Sequence, residues 1–173
     1  NLSEENSLSL GTTDDSDGGS LALSANRMVA ALPSSSQGLK VISIASPGNP
    51  EELYSIDSDA PQTTVLLNDN QLYGVSENNG TVWTLNPSSA TAQHTFASST
   101  VEAMQIHGDY LIQAARSQGI RIFNLEDAGA PFLQSQIDVN DRAYDFTVID
   151  DSIWVADYVE NISRIQLPDC AID

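Results

Sequence analysis

Residues 101–138 read VEAMQIHGDYLIQAARSQGIRIFNLEDAGAPFLQSQID and hold four short apolar runs, each parted from the next by turn residues. Short runs bounded by Gly, Asp, Asn and Pro are the pattern of β-strands joined by tight connections. Nothing in the stretch carries a sustained helical period with caps. One such stretch would be a single sheet. Its recurrence on both sides decides the fold.

Working outward, the same four-run unit appears at residues 20–57, 63–98, 101–138 and, shortened, 143–173. A marker residue opens the third run of each copy, and these markers (Gly38, Gly80, Gly119 and Asn161) recur 42, 39 and 42 residues apart. The third and fourth copies align without a gap: Met104 with Phe146, Ile106 with Val148, Leu111 with Ile153, Ile112 with Trp154, Ala114 with Ala156. Turn chemistry repeats as well. Ala25-Asn26, Asp69-Asn70, Gly108-Asp109 and Asp150-Asp151 lie between the first two runs, where a short hairpin needs residues tolerant of positive φ. The markers are read the same way, with Asn161 standing in for glycine. Pro50, Pro87 and Pro131 follow the third runs and launch the last ones. Four strands per unit of about forty residues predict an all-β fold, a small β-propeller of four blades of four antiparallel strands.

The segments GLKVISIASPGNPEELYSID and GIRIFNLEDAGAPFLQSQID resemble the LVIVD-repeat family of β-propellers. The resemblance rests on Gly38-Leu39, Val41-Ile42, Ile44, Ser46 and Pro50, and on Gly119-Ile120, Ile122-Phe123, Leu125, Asp127 and Pro131. The run Ile153-Trp154-Val155-Ala156-Asp157 matches the strand that precedes this motif, while Gly80-Thr81-Val82-Trp83 is a residue shorter than the pattern. The likeness spans roughly residues 20–167. It implies a propeller fold and an extracellular or envelope-associated domain of a bacterium or archaeon. The motif residues are structural, so the resemblance carries no catalytic set.

Residues 1–19 are rich in Ser, Asp and Gly and stand apart from the repeats as an acidic N-terminal segment. Within them, residues 6–10 alternate polar and apolar, a period-two strand pattern. The fourth repeat ends after its third run, so these residues are the candidate strand to complete it and close the ring. The opening NLSEENS does not read as a leader; a mature secreted chain and a piece of a longer one both fit.

The chain has 173 residues and a formal charge of −18, from 6 Lys plus Arg against 24 Asp plus Glu, with Lys40 the sole lysine. Such a surface repels nucleic-acid phosphates and anionic lipid headgroups, and no run is long enough to insert in a membrane as a helix. It suits solubility, a saline or marine prokaryotic setting, or a basic partner. Cys170 has no partner for an intramolecular disulfide, and no Cys/His cluster has zinc spacing.

Asp15 and Asp17 have some flavour of a calcium loop, but Thr13 and Ser24 occupy its first and last positions, where carboxylates are needed. A solvated linker is the stronger reading there, so no cofactor is expected, with calcium as the alternative. His107, before the Gly108-Asp109 hairpin, is read as a solvated turn residue and His94 as half exposed in an outer strand; neither has a nucleophile context, and there is no Gly-x-Ser-x-Gly. Trp83, Trp154, Tyr73, Tyr110, Phe123 and Phe146 are read as blade packing rather than a sugar platform.

What a propeller gathers is its loops. The connections between blades, and those between second and third strands, would place Asp57, Asp59, Glu77, Arg116, Asp138, Asp141, Arg142, Asp157, Tyr158 and Glu160 on one face. Asp57, Asp59, Glu77, Arg116, Arg142 and Tyr158 are its binding candidates. Asp138, Asp141, Asp157 and Glu160 are its cation candidates, beside Asp15 and Asp17 in the N-terminal segment. The expectation is a non-enzymatic, secreted or cell-envelope binding or assembly module, with a protein partner or larger envelope assembly. The alternatives are a hydrolase or lyase using a carboxylate-held cation, and a structural domain of a larger propeller protein.

Overall fold

A computed structural model of the chain describes residues 8, 19–32, 38–46, 48–58, 60–126, 130–139, 141–158 and 162–167. Among these, fifteen β-strands and no helix are found. They form four antiparallel sheets, and in each the strands are hydrogen-bonded in chain order.

The chain divides into two units, residues 1–98 and 99–173. The first unit holds two four-stranded sheets. One is β1 (Ser20–Ser24), β2 (Arg27–Ala31), β3 (Leu39–Ser43) and β4 (Glu51–Ile56). The other is β5 (Thr64–Asn68), β6 (Gln71–Val75), β7 (Asn79–Leu85) and β8 (Ala90–Ala97). Their first strands lie against each other, and the Val65 amide donates to the Ser20 hydroxyl at 3.1 Å. The core between the sheets takes Val29, Leu39 and Val41 from one and Leu72, Trp83 and Leu85 from the other.

The second unit repeats this plan with β9 (Ala103–His107), β10 (Tyr110–Ala114), β11 (Ile120–Asn124) and β12 (Phe132–Ile137) as one sheet. Its second sheet is β13 (Ala143–Ile149), β14 (Ser152–Asp157) and β15 (Ile162–Gln166), with no fourth strand among the described residues. Here too the two first strands are neighbours, and Ile112, Ile120 and Ile122 share a core with Ala143, Ile153 and Val155. Residues 6–7 and 9–10, most of the candidate closing strand, lie outside the described residues, as do Asn161 and Cys170.

Local sequence explains the hairpins. Ala25, Asp69, Gly108 and Asp150 all have positive φ, between 47° and 56°, at the turn residues read above. Strands β4 and β12 begin directly after Pro50 and Pro131. The markers divide. Gly38 and Gly119 have φ of 63° and 69°, but Gly80 does not and lies inside β7. It is paired with Phe96, whose ring atoms come within 2.1 Å of where a Cβ would stand. Glycine is required there by a close aromatic approach rather than by a left-handed turn.

Two side-chain readings change. His107 is the last residue of β9, half-buried and paired with Tyr110, rather than a solvated turn residue. Trp154 is 39% exposed, with the Arg164 guanidinium 5.7 Å from its ring centre, so it is not packed in a core. Tyr73, Trp83 and Phe123 are buried as expected.

Candidate functional site

Antiparallel order puts alternate loops of a sheet at the same end. In the second unit this end carries residues 99–102 before β9, the β10–β11 loop, the β12–β13 loop and the segment after β14. These are held to one another by backbone bonds. In the β10–β11 loop, Arg116 takes φ of 46°, and the Gly119 amide donates back to the Arg116 carbonyl at 3.0 Å. Arg116 then exchanges two bonds with the first residue of β13: its amide donates to the Ala143 carbonyl at 3.1 Å, and the Ala143 amide donates to its carbonyl at 3.0 Å. The Tyr158 amide donates to the Arg142 carbonyl at 3.2 Å. Loops from both sheets of this unit are thereby fixed together, a rigid base for side chains that face water.

On that base, Arg116 is ion-paired through Nε with Glu102. The Arg142 guanidinium lies 6.0 Å from the centre of the Tyr158 ring, and Tyr158 stacks on Tyr144 with centroids 5.5 Å apart at 29°. A β-bulge between Ala143 and Asp145 brings Tyr144 there, since the extra residue leaves the regular pairing with β14. Tyr158 remains 66% exposed and Arg142 is exposed too. Asp157 and Asp141, both half-buried, neighbour them in sequence, and Asp138 is exposed at the start of the β12–β13 loop.

Other cations have different company. Lys40 donates to Glu52 at 3.1 Å and to Ser55 at 2.8 Å; the Lys40 bond, then the Ser55 hydroxyl, holds the Glu52 carboxyl below its ordinary range. Arg27 reaches the Leu85 carbonyl, and Arg164 bonds Ser152 and Gln166. Arg121 is buried, its guanidinium 4.9 Å from the centre of the Phe123 ring, and desolvation lowers its pKa. Among the described residues, no carboxylate pairs with Arg142.

In the first unit, Asp57 and Glu77 sit in the β4–β5 and β6–β7 connections, at corresponding ends of its two sheets. Asp57 borders a cleft of about 360 Å³ lined by Tyr54, Ile56, Trp83, Ser88 and Ser89. Tyr54 donates there to the Asn86 carbonyl at 2.9 Å, and burial raises its pKa.

The structure therefore gathers Arg116, Asp138, Asp141, Arg142, Asp157 and Tyr158 at one end of the second unit, and Asp57 and Glu77 at one end of the first. Asp15, Asp17, Asp59 and Glu160 lie outside the described residues. Among those described, no three His, Cys, Asp or Glu side chains are arranged to hold a metal ion. Glu102 and Tyr144 are additions that sequence reasoning missed. The Glu102 pairing needs the β9–β10 register, and the bulge that aims Tyr144 leaves no mark in the apolar pattern.

No protein-family model matches the chain, and no curated protein does. Solved structures do. The computationally designed Ika4 protein is similar with a TM-score of 0.68 at 13% identity, over 94% of this chain and 100% of that one. The computationally designed Ika8 protein is similar with a TM-score of 0.66 at 14% identity, over 86% of this chain and 45% of that one. At such identities the likeness is one of fold alone.

Proposed function

We propose that the chain is a non-enzymatic binding or assembly module, a secreted or cell-envelope domain that works through the acidic loop ends of its sheets. The observation that carries this is the end of the second unit. There, backbone bonds between Arg116 and Ala143 and between Arg142 and Tyr158 lock separate loops into one platform, while Asp138, Arg142 and Tyr158 stay exposed. Rigid loops with exposed polar and aromatic side chains are the usual seat of binding on an all-β scaffold. The charge of −18 favours a basic protein partner or a basic surface of a larger envelope assembly.

Titration with a lysine-rich peptide tests this. Binding should be saturable, should weaken as salt screens the charges, and should fall at least tenfold in the combined Asp138→Asn, Asp141→Asn variant. Equal affinity in that variant would overturn the role of these loops.

The finer form of the fold belongs to the same proposal: a four-bladed propeller of the LVIVD-repeat kind, closed by a strand from residues 6–10. The fourth sheet, three-stranded among the described residues, supports it, as do the apolar side chains exposed within each unit, Leu21 and Leu23 in the first and Ile162 in the second. Deleting residues 1–12 should then lower the melting temperature sharply; an unchanged value refutes closure by that segment.

A further inference from the structure

The Arg142–Tyr158–Tyr144 group is chemically unlike the acidic surface around it, and its parts fit one class of ligand. In a chain with four acidic residues for each basic one, Lys40 and Arg116 each have a carboxylate partner. Arg142 is exposed and, among the described residues, its guanidinium has no carboxylate partner and lies 6.0 Å from the centre of the Tyr158 ring. A guanidinium presents a planar fork of donors matched to a carboxylate. Beside it, the Tyr158 ring is two-thirds exposed and backed by Tyr144, so its orientation is set before any ligand arrives. An exposed ring of that kind is a surface for the C–H face of a sugar. Asp141 precedes Arg142 in the sequence, and a carboxylate accepts hydrogen bonds from hydroxyls.

From this juxtaposition, we infer that the loop end of the second unit is a sugar-acid site, taking the carboxylate of a uronic acid on Arg142 and the pyranose face on Tyr158. The inference rests on the binding-module reading and names a ligand for part of the same platform. A polyanion is disfavoured by the overall charge of −18, whereas a single uronic acid brings one carboxylate to Arg142. The Tyr158 amide bond to the Arg142 carbonyl keeps the two side chains in one frame.

Glucuronate and galacturonate, with glucose and galactose as neutral controls, are the probes, read by calorimetry and by saturation-transfer NMR on the full chain. Uronates should bind saturably, and the neutral sugars at least tenfold more weakly. Arg142→Gln should remove that preference, Arg142→Lys should restore part of it, and Tyr158→Ala should weaken every sugar. Because both side chains are exposed, each variant should melt within a few degrees of the parent; a variant that unfolds is replaced by Tyr158→Leu, which keeps bulk and loses the ring. Absence of saturable uronate binding, or equal affinity in Arg142→Gln, overturns the inference. If the lysine-rich peptide still binds in that case, the sugar site falls and the broader binding reading stands.

Discussion

The two sheets of the second unit are copies in sequence, yet one face of the fourth sheet is exposed where its counterpart in the third is buried. Ile120 in β11 is 0% exposed, while its counterpart Ile162 in β15 is 76% exposed. Ile112 in β10 is 0% exposed, and its counterpart Trp154 in β14 is 39% exposed. Side chains on the other face of β14, Ile153 and Val155, are as buried as any in the molecule. The difference has two causes. Strand β12 pairs with the third strand of its sheet and β15 has no such neighbour among the described residues, and the shared core takes the Ile112 and Ile120 face of the third sheet but the Ile153 and Val155 face of the fourth, the side opposite Trp154 and Ile162. Identical patterning thus reports which residues face out of the pleat, while burial depends on what lies beyond it.

That comparison can be broken by mutation, and the largest effect should come first. Ile120→Ala removes packed atoms from a site that cannot refill and should cost about 2–5 kcal/mol, whereas Ile162→Ala should stay within about 0.5 kcal/mol. Equal losses in denaturant titrations would mean that β15 is covered in solution as β11 is, which would itself support a closing strand. Next comes the turn glycine. Gly119→Ala places a Cβ 2.1 Å from the Ile137 carbonyl oxygen at φ of 69°, so it should cost more than the roughly 1–2 kcal/mol of a left-handed residue alone. Gly108→Asp should be milder, because nothing crowds its Cβ and the fourth copy already holds Asp150 at φ of 52° in that turn. Melting curves of the two variants should differ in that order.

Much of the architecture was legible from residue patterning. The sheet of residues 101–138, the hairpin turns and the strand starts after Pro50 and Pro131 are set by neighbours within a few positions. Gly80 shows the limit. Its marker position promised a turn, and the reason for the glycine is Phe96, sixteen residues on and across the ladder. The site shows the same limit more strongly. Arg116, Arg142 and Tyr158 could be nominated as loop residues, but their grouping with Glu102 and Tyr144 could not.

What the sequence determined by itself was the unit: runs that alternate, turns that tolerate positive φ, and a spacing near forty residues that lets each unit close as one antiparallel sheet. Those properties are local, so they survive reading one residue after another. Only the tertiary structure decided which faces are covered, which end of the second unit is locked by the Arg116–Ala143 exchange, and where a one-residue bulge sends Tyr144. These depend on contacts between residues distant in the chain, and burial energy is assigned by those contacts rather than by the pattern that makes them possible.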